Sequence, residues 1–191
     1  SLDITAWSLE NNRGVLSSGD EIKAKVERFV NGDGQLIAQR HVALRAQNIS
    51  GAGKILSKGG LTLDYDADFN NVSTLVADGN MTINSKGNIS NSGKIGAAGT
   101  LALNGDKDLD NQAGAEISAT NTQIHVAGTL TNKGVIDGTT TTLVAAEIQN
   151  SDRIYGGTLS LNANNITNQS RAAIAARTSL QVDDATVTNH E

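Results

Sequence analysis

The sequence predicts an all-β fold, a parallel β-helix of about ten coils with about 20 residues and three short strands per coil. Three observations predict it. The chain repeats about every 20 residues, each repeat holds three apolar segments of period two, and Gly and Asn stand between those segments. Such a period is typical of solenoids, in which each unit buries its apolar face against its neighbours.

The composition favours a thin aliphatic core. Aromatic residues make up 3% of the 191 residues, and the chain contains one Trp and no Cys or Pro. With so few rings, Leu, Ile, Val and Ala must fill the interior. The absence of Cys excludes a disulfide framework and a thiolate metal site. No apolar run approaches the roughly 20 residues that span a bilayer, so this segment is not expected to insert into a membrane.

The first segment of each repeat is an apolar pair with one residue between, as in Leu101 and Leu103. This alternation predicts a strand with one buried face. Equivalent strands of neighbouring coils would pair at about 4.7–4.9 Å, so ten coils predict a rod roughly 45–50 Å long. The ten segments begin at Leu2, Ile22, Val42, Leu61, Met81, Leu101, Ile124, Leu143, Leu159 and Leu180.

The second segment holds the most regular column, an apolar anchor two positions before an asparagine. Successive anchors are 18 to 21 residues apart, and Gly51 is the single exception to the asparagine. Side-chain amides at equivalent corners can stack along the rod, each bonding to the next. The predicted structural ladder contains Asn11, Asn31, Asn71, Asn91, Asn111, Asn132, Asn150, Asn168 and Asn189.

The third segment follows the anchor by six to eight residues and again alternates. Between the first segment and the anchor the length varies, which predicts a surface turn. Any specific ligand contact is expected on this edge, at the acidic turns of coils four and six. Lys86 stands level with Asp66 and Asp106, which we interpret as charge balancing along the rod. The possible ligand-facing residues are Asp64, Asp66, Asp68, Asp106, Asp108 and Asp110.

The residues that could carry chemistry form weak patterns. The run from 64 to 68 has three carboxylates at the spacing of a calcium loop. However, Phe69 stands where such a loop requires Gly, and Leu75 stands where it requires the bidentate Glu. These departures favour a solvated turn. The three His residues fall on different phases of the repeat, so neither a metal site nor a cofactor is expected. These residues are His41, His125 and His190.

Two features of the first coils leave alternatives open. Coil two alternates both signs of charge from Glu21 to Arg28, which favours a solvated strand face. Trp7 could be a platform for stacking a sugar, although packing near the start of the rod is the favoured interpretation. A pI near 5.1 without a basic stripe argues against a nucleic-acid partner.

Together, these columns resemble the filamentous haemagglutinin repeat of two-partner secretion exoproteins. The pattern is seen in Leu101-Ala102-Leu103, then Leu109-Asp110-Asn111, then Gly114 and Ile117, and equivalents cover essentially the whole chain. The resemblance implies a right-handed parallel β-helix shaft, exported through an outer-membrane transporter partner and displayed at, or secreted from, the surface of a Gram-negative bacterium. The family's secretion domain carries an Asn-Pro-Asn type motif, and because this chain contains no Pro, that domain is not expected within it. We therefore expect residues 1–191 to be a single β-helical shaft fragment of a larger protein.

Three functions are consistent with this prediction. The first is a structural shaft of an adhesin, a contact-dependent growth-inhibition effector or a haemolysin, which presents a distal binding or toxin module to a receptor on a host or neighbouring bacterium. The second is that the segment itself binds a surface ligand, through the acidic turns or the strand face of coil two. The third, a polysaccharide-acting enzyme, is disfavoured because no cluster of acids with Arg or Lys lies on inserted loops.

Overall fold

The computed structural model describes residues 1–183 and 186–190, and every regular element within them is a β-strand. Coils one to three contain β1 (Leu2–Glu10), β2 (Val15–Ser18), β3 (Glu21–Val30), β4 (Gln35–Ala38), β5 (His41–Ser50) and β6 (Lys54–Ser57). Coils four and five contain β7 (Gly60–Tyr65), β8 (Phe69–Asn71), β9 (Thr74–Ala77), β10 (Met81–Ser85) and β11 (Ile89–Asn91). The remaining strands are β12 (Lys94–Gly105), β13 (Leu109–Asn111), β14 (Glu116–Val126), β15 (Thr129–Asn132), β16 (Val135–Val144), β17 (Glu147–Asn150), β18 (Arg153–Asn162), β19 (Asn165–Asn168), β20 (Ala173–Asp183) and β21 (Thr186–Asn189).

The strands stack in parallel, and each coil lies in register with the next. Met81, for example, pairs with Leu61 on one side and with Leu101 on the other. Three faces result. Face A holds the first segment of each repeat, as in Met81–Ser85; face B holds the anchors, as in Ile89–Asn91; face C holds the third segment, which begins β12.

This arrangement confirms the predicted parallel β-helix of about 20 residues per coil and matches its right-handed form. The described residues form nine complete coils and the first two strands of a tenth, against the predicted count of about ten. A 14-stranded sheet runs along faces A and C, and a seven-stranded sheet from β8 to β21 forms most of face B.

Each of the three segments is a strand of its own only in coil four, as β7, β8 and β9. In coils one to three, single strands such as β3 run from face A onto face B. From β12 onward, face C runs without a break into face A of the next coil. Small residues at this second corner, such as those of the run 96–99 and Gly156, let the strand bend without leaving the extended conformation.

Aliphatic side chains fill the interior, as the composition predicts. Ile83 and Leu103 are among many fully buried members of one continuous core. Tyr65 and Phe69 add one edge-to-face aromatic pair, with ring centroids 4.7 Å apart. Burial raises the pKa of the Tyr65 phenol well above its ordinary value.

Face B is interrupted between coils three and four. Among the described residues, the end of β5 forms no ladder with β8, although β5 pairs with β7 on face A. Gly51 lies at this point with φ near 100°, and a Cβ there would lie 2.5 Å from the Asn31 carbonyl oxygen. The coil therefore approaches the one before it too closely for any residue but glycine.

The prediction that Trp7 packs near the start of the rod is wrong. Trp7 is 78% exposed, because on β1 it alternates with Ala6, which packs against the core. Its side chain consequently points away from the interior of the β-helix.

Within residues 1–183 and 186–190, no helix has the length and apolar character needed to cross a membrane.

Candidate functional site

The predicted asparagine column lies at the corner where face B turns toward face C. Wherever two consecutive coils both carry the asparagine, the side-chain nitrogen of the earlier one donates to the side-chain oxygen of the later one. The donor–acceptor distances are 2.9 Å for Asn11–Asn31, 2.7 Å for Asn71–Asn91, 2.9 Å for Asn91–Asn111, and 2.8 Å for Asn111–Asn132, Asn132–Asn150, Asn150–Asn168 and Asn168–Asn189. Gly51 divides the column into a pair and a run of seven.

Each buried amide also holds the backbone of its own corner. Asn91 donates to the carbonyl oxygens of Gly93 and Glu116, at 3.2 Å each, and its side-chain oxygen accepts from the Gly93 nitrogen at 3.3 Å. The amide thereby ties its own turn to the next coil. Its role in fixing the register between coils stays a prediction, and the geometry gives that prediction a mechanism.

The acidic turn of coil four is tied to the coils on both sides. The Asp66 carboxylate pairs with Arg45 of coil three at 3.3 Å and with Lys86 of coil five at 2.6 Å. Asp64 accepts a 2.7 Å bond from the Asn84 side chain, whose own oxygen accepts from Asn104 at 2.8 Å. These side chains form a surface network parallel to the buried asparagine column.

Three other predicted aspartates also contact the next coil. Asp68 accepts from the backbone nitrogen of Asn88 at 2.7 Å, and Asp108 accepts from that of Thr129 at 2.8 Å. Asp110 pairs with Lys133 at 3.0 Å. Asp106 lines the shallow groove that also contains Asp66 and Lys86. Asp64 lies on face A and Asp66, Asp68, Asp106 and Asp108 lie in the turns that follow it, whereas Asp110 belongs to β13 on face B.

The structure does not bring the two acidic turns together, because coil five lies between them. In the part of the chain that the structure describes, no group of three or more His, Asp and Glu side chains is placed to hold a metal ion. The six contacts that five of these aspartates form instead connect one coil to another. Whether these turns also meet a ligand stays a prediction.

Lys86 and Arg45 lower the pKa of the Asp66 carboxyl through the hydrogen bonds that they donate, with Lys86 the larger cause. We expect an NMR titration to show this depression, and Lys86→Gln to raise the Asp66 pKa toward its ordinary value. Because the folded pKa is the lower one, the stabilisation is present above the unfolded pKa and is lost as pH falls through the folded value. Lys107→Gln is the matched control, and an equal response to both variants would contradict the assignment to Lys86.

Sequence reasoning named Trp7 and the strand face of coil two, which contains Lys25, as separate alternatives and did not place them on one surface. Both lie on outward positions of face A in coils one and two, where Thr5 of β1 pairs with Lys25 of β3. The parity of β1 could have revealed this, because Leu2 and Ile4 occupy the inward positions and Trp7 the opposite parity. The favoured interpretation of Trp7 as a packed residue did not take account of this parity.

Comparison with protein families identifies the repeat. The haemagglutinin repeat matches residues 1–63, 41–93, 56–134, 96–170 and 156–191, which together span the whole chain. The chain belongs to the haemagglutinin repeat family. No curated protein and no solved structure matches it. As a haemagglutinin repeat chain with a continuous β-helical stack, it has the architecture of an adhesin-type shaft.

Proposed function

We propose that this haemagglutinin repeat chain is a stiff spacer within a secreted or surface-displayed bacterial exoprotein, either an adhesin or a contact-dependent growth-inhibition effector. It holds a distal binding or toxin module away from the producing cell. Export through an outer-membrane transporter partner is part of this proposal. The observation that carries it is the continuous parallel register of face A, in which ten rungs from β1 to β20 pair without a gap.

The contacts between coils support stiffness. Strands pair on two or three faces at each step, and the asparagine column and the surface ion pairs add side-chain bonds in the same direction. Bending the rod would have to stretch some of these bonds on one side. A solenoid of this kind gains length with each coil while the contacts at each step stay the same.

Inserting two further copies of residues 80–99 after Gly99 should lengthen the rod by about 10 Å, because each coil adds about 4.7–4.9 Å. Small-angle X-ray scattering should show a longer maximum dimension and an unchanged cross-section. The control is an insertion of equal length rich in Gly and Ser, which cannot continue the alternation. A larger cross-section for the repeat insertion would contradict the spacer proposal.

The same proposal has a functional test in the full-length protein. Deleting two whole coils should leave binding to target cells intact and shorten the distance at which the distal module engages its receptor. If the purified deletion variant no longer bound target cells, the binding surface would instead lie within these coils.

We also infer that the chain acts without catalysis. The haemagglutinin repeat family supports this inference, as does the engagement of Asp64, Asp66, Asp68, Asp108 and Asp110 in contacts between coils. Incubation with acidic polysaccharides should give no product. Turnover that is lost in Asp66→Asn or Asp108→Asn would overturn the inference.

A further inference from the structure

The step from coil three to coil four is, among the described coils, the one that lacks strand pairing on face B. On face A the ladder between these two coils ends with Ala46 opposite Tyr65, and on face C it resumes at Ile55. Within the described ranges, no ladder pair or hydrogen bond joins residues 47–54 of coil three to residues 67–74 of coil four. This unpaired stretch, the face B gap, leaves the step bonded on two sides of the rod and open on the third.

Each side of the face B gap is bonded to the coil behind it. On the coil three side, the Ser50 carbonyl oxygen accepts from the Asn31 nitrogen at 2.8 Å, and the Gly53 nitrogen donates to the Asn31 carbonyl oxygen at 2.7 Å. On the coil four side, the Phe69 nitrogen donates to the Asn88 carbonyl oxygen at 2.8 Å. The backbone therefore divides here into an earlier body, which ends with coil three, and a later body, which begins with coil four.

The interior side chains show the same division. Ile49, the anchor of coil three, is only partly buried, whereas Phe69 and Ile89, the next two anchors, are buried. Gly51 stands where the other coils carry an asparagine, so it has no side-chain amide to continue the column. Neither a fully covered anchor nor a buried amide bond holds this side of the step together.

One ion pair spans the step at the margin of the face B gap. Arg45 of coil three meets Asp66 of coil four at 3.3 Å, next to the last rung of the face A ladder. In residues 1–183 and 186–190 it is the one ion pair that joins these two coils. Both side chains are partly exposed to water, so the pair adds a small, salt-sensitive attraction.

We propose that this step is a hinge, at which the rod opens on face B while most of the ladders on faces A and C stay paired. Coils one to three tilt as one body against the later coils, and the Arg45–Asp66 pair favours the closed form. The same tilt between coils five and six would break the face B ladder and the bond from Asn91 to Asn111. This inference concerns the motion of the rod and does not depend on its role as a spacer.

The closed form remains the major one because opening uncovers apolar surface. Phe69 lies directly behind the face B gap, and its ring packs edge to face on Tyr65 with centroids 4.7 Å apart. Bringing water to these rings opposes opening. The hinge is therefore a transient local opening, of the kind that needs less free energy than global unfolding.

Amide exchange tests the hinge, because the chain provides two matched amides. The Asp66 nitrogen donates to the Ala46 carbonyl oxygen beside the face B gap, and the Lys86 nitrogen donates to the Tyr65 carbonyl oxygen one step later, each at 3.2 Å. After correction for intrinsic rates, NMR should show the Asp66 amide exchanging about tenfold faster than the Lys86 amide, or more. Equal exchange of the two amides would overturn the proposal.

Charge variants test the ion pair. Arg45→Gln should speed exchange of the Asp66 amide by about two- to fivefold, as expected for the loss of one exposed ion pair. Lys94→Gln is the matched control, since it removes the 3.1 Å pair with Glu116 between coils five and six and should leave the Asp66 amide unchanged. An unchanged Asp66 rate in Arg45→Gln, or an equal increase in both variants, would contradict the proposal.

Spin labels measure the motion directly, because the chain contains no Cys and accepts labels at chosen sites. Ser50→Cys with Asn70→Cys places labels across the face B gap, and Asn70→Cys with Ser90→Cys places them across the next step, where these two residues pair. EPR should show a longer and broader distance distribution for the first pair. The same narrow distribution at both steps would overturn the hinge.

Discussion

Replacing Asn111 with alanine should lower the free energy of unfolding by about 2–4 kcal/mol. Asn111 is fully buried and is the third member of the run of seven. Its amide accepts from Asn91 at 2.9 Å and donates to Asn132 at 2.8 Å and to the Val135 carbonyl oxygen at 3.2 Å. The variant loses all three bonds, and it leaves buried partners in two coils with fewer bonds than before.

Chemical denaturation followed by circular dichroism measures this loss. The matched control is Asn164→Ala, which removes an exposed asparagine from a turn and should change the stability by no more than about 0.5 kcal/mol. Asn91→Ala combined with Asn111→Ala should cost less than the sum of the two, because they share one bond. Equal losses for Asn111→Ala and Asn164→Ala would show that the column does not stabilise the stack.

Gly93→Ala should destabilise the protein by about 2–3 kcal/mol or more, because backbone atoms occupy the space that a Cβ needs. A Cβ on Gly93 would overlap the Ser73 carbonyl oxygen and lie 2.8 Å from the Ser73 nitrogen. Gly93 also accepts from Asn91 and from the Glu116 nitrogen, so a shift of this corner would strain three coils.

Gly96→Ala is a control only three residues away. There the nearest atoms to a Cβ are Lys94 Cε at 3.4 Å and the Ser118 carbonyl oxygen at 3.7 Å, both ordinary contacts. We expect a change within about 0.5 kcal/mol, in either direction, from thermal or denaturant unfolding. If both variants lost the same stability, loss of a flexible residue would explain the effect better than the close approach of the coils.

Much of this fold could be predicted because equivalent residues of successive repeats lie side by side in neighbouring coils. An anchor such as Ile89 must be buried in every coil, and Asn91 two residues later falls at the same corner each time. The period therefore defines both the direction of the strands and their register. The parallel pairing of Ile89 with Phe69 and Leu109 follows from spacing alone.

The features that could not be predicted depend on how neighbouring coils meet. The sequence shows Gly51 as an exception to a column, but the interruption of face B beside it depends on the path of the backbone. Merging of strands across corners depends on small residues whose positions vary between repeats. The partners of Asp66 come from two other coils, and only the register places Arg45 and Lys86 beside it.

The asparagine column also has an electrical direction. In every bond from Asn71 to Asn189, the N–H group points toward the later coil and the carbonyl oxygen toward the earlier one. The amide dipoles therefore add head to tail, as peptide dipoles do along an α-helix, with the partial positive end at Asn189. The buried corner of this rod is thus polarised along its length, and Gly51 separates a short dipole from a long one.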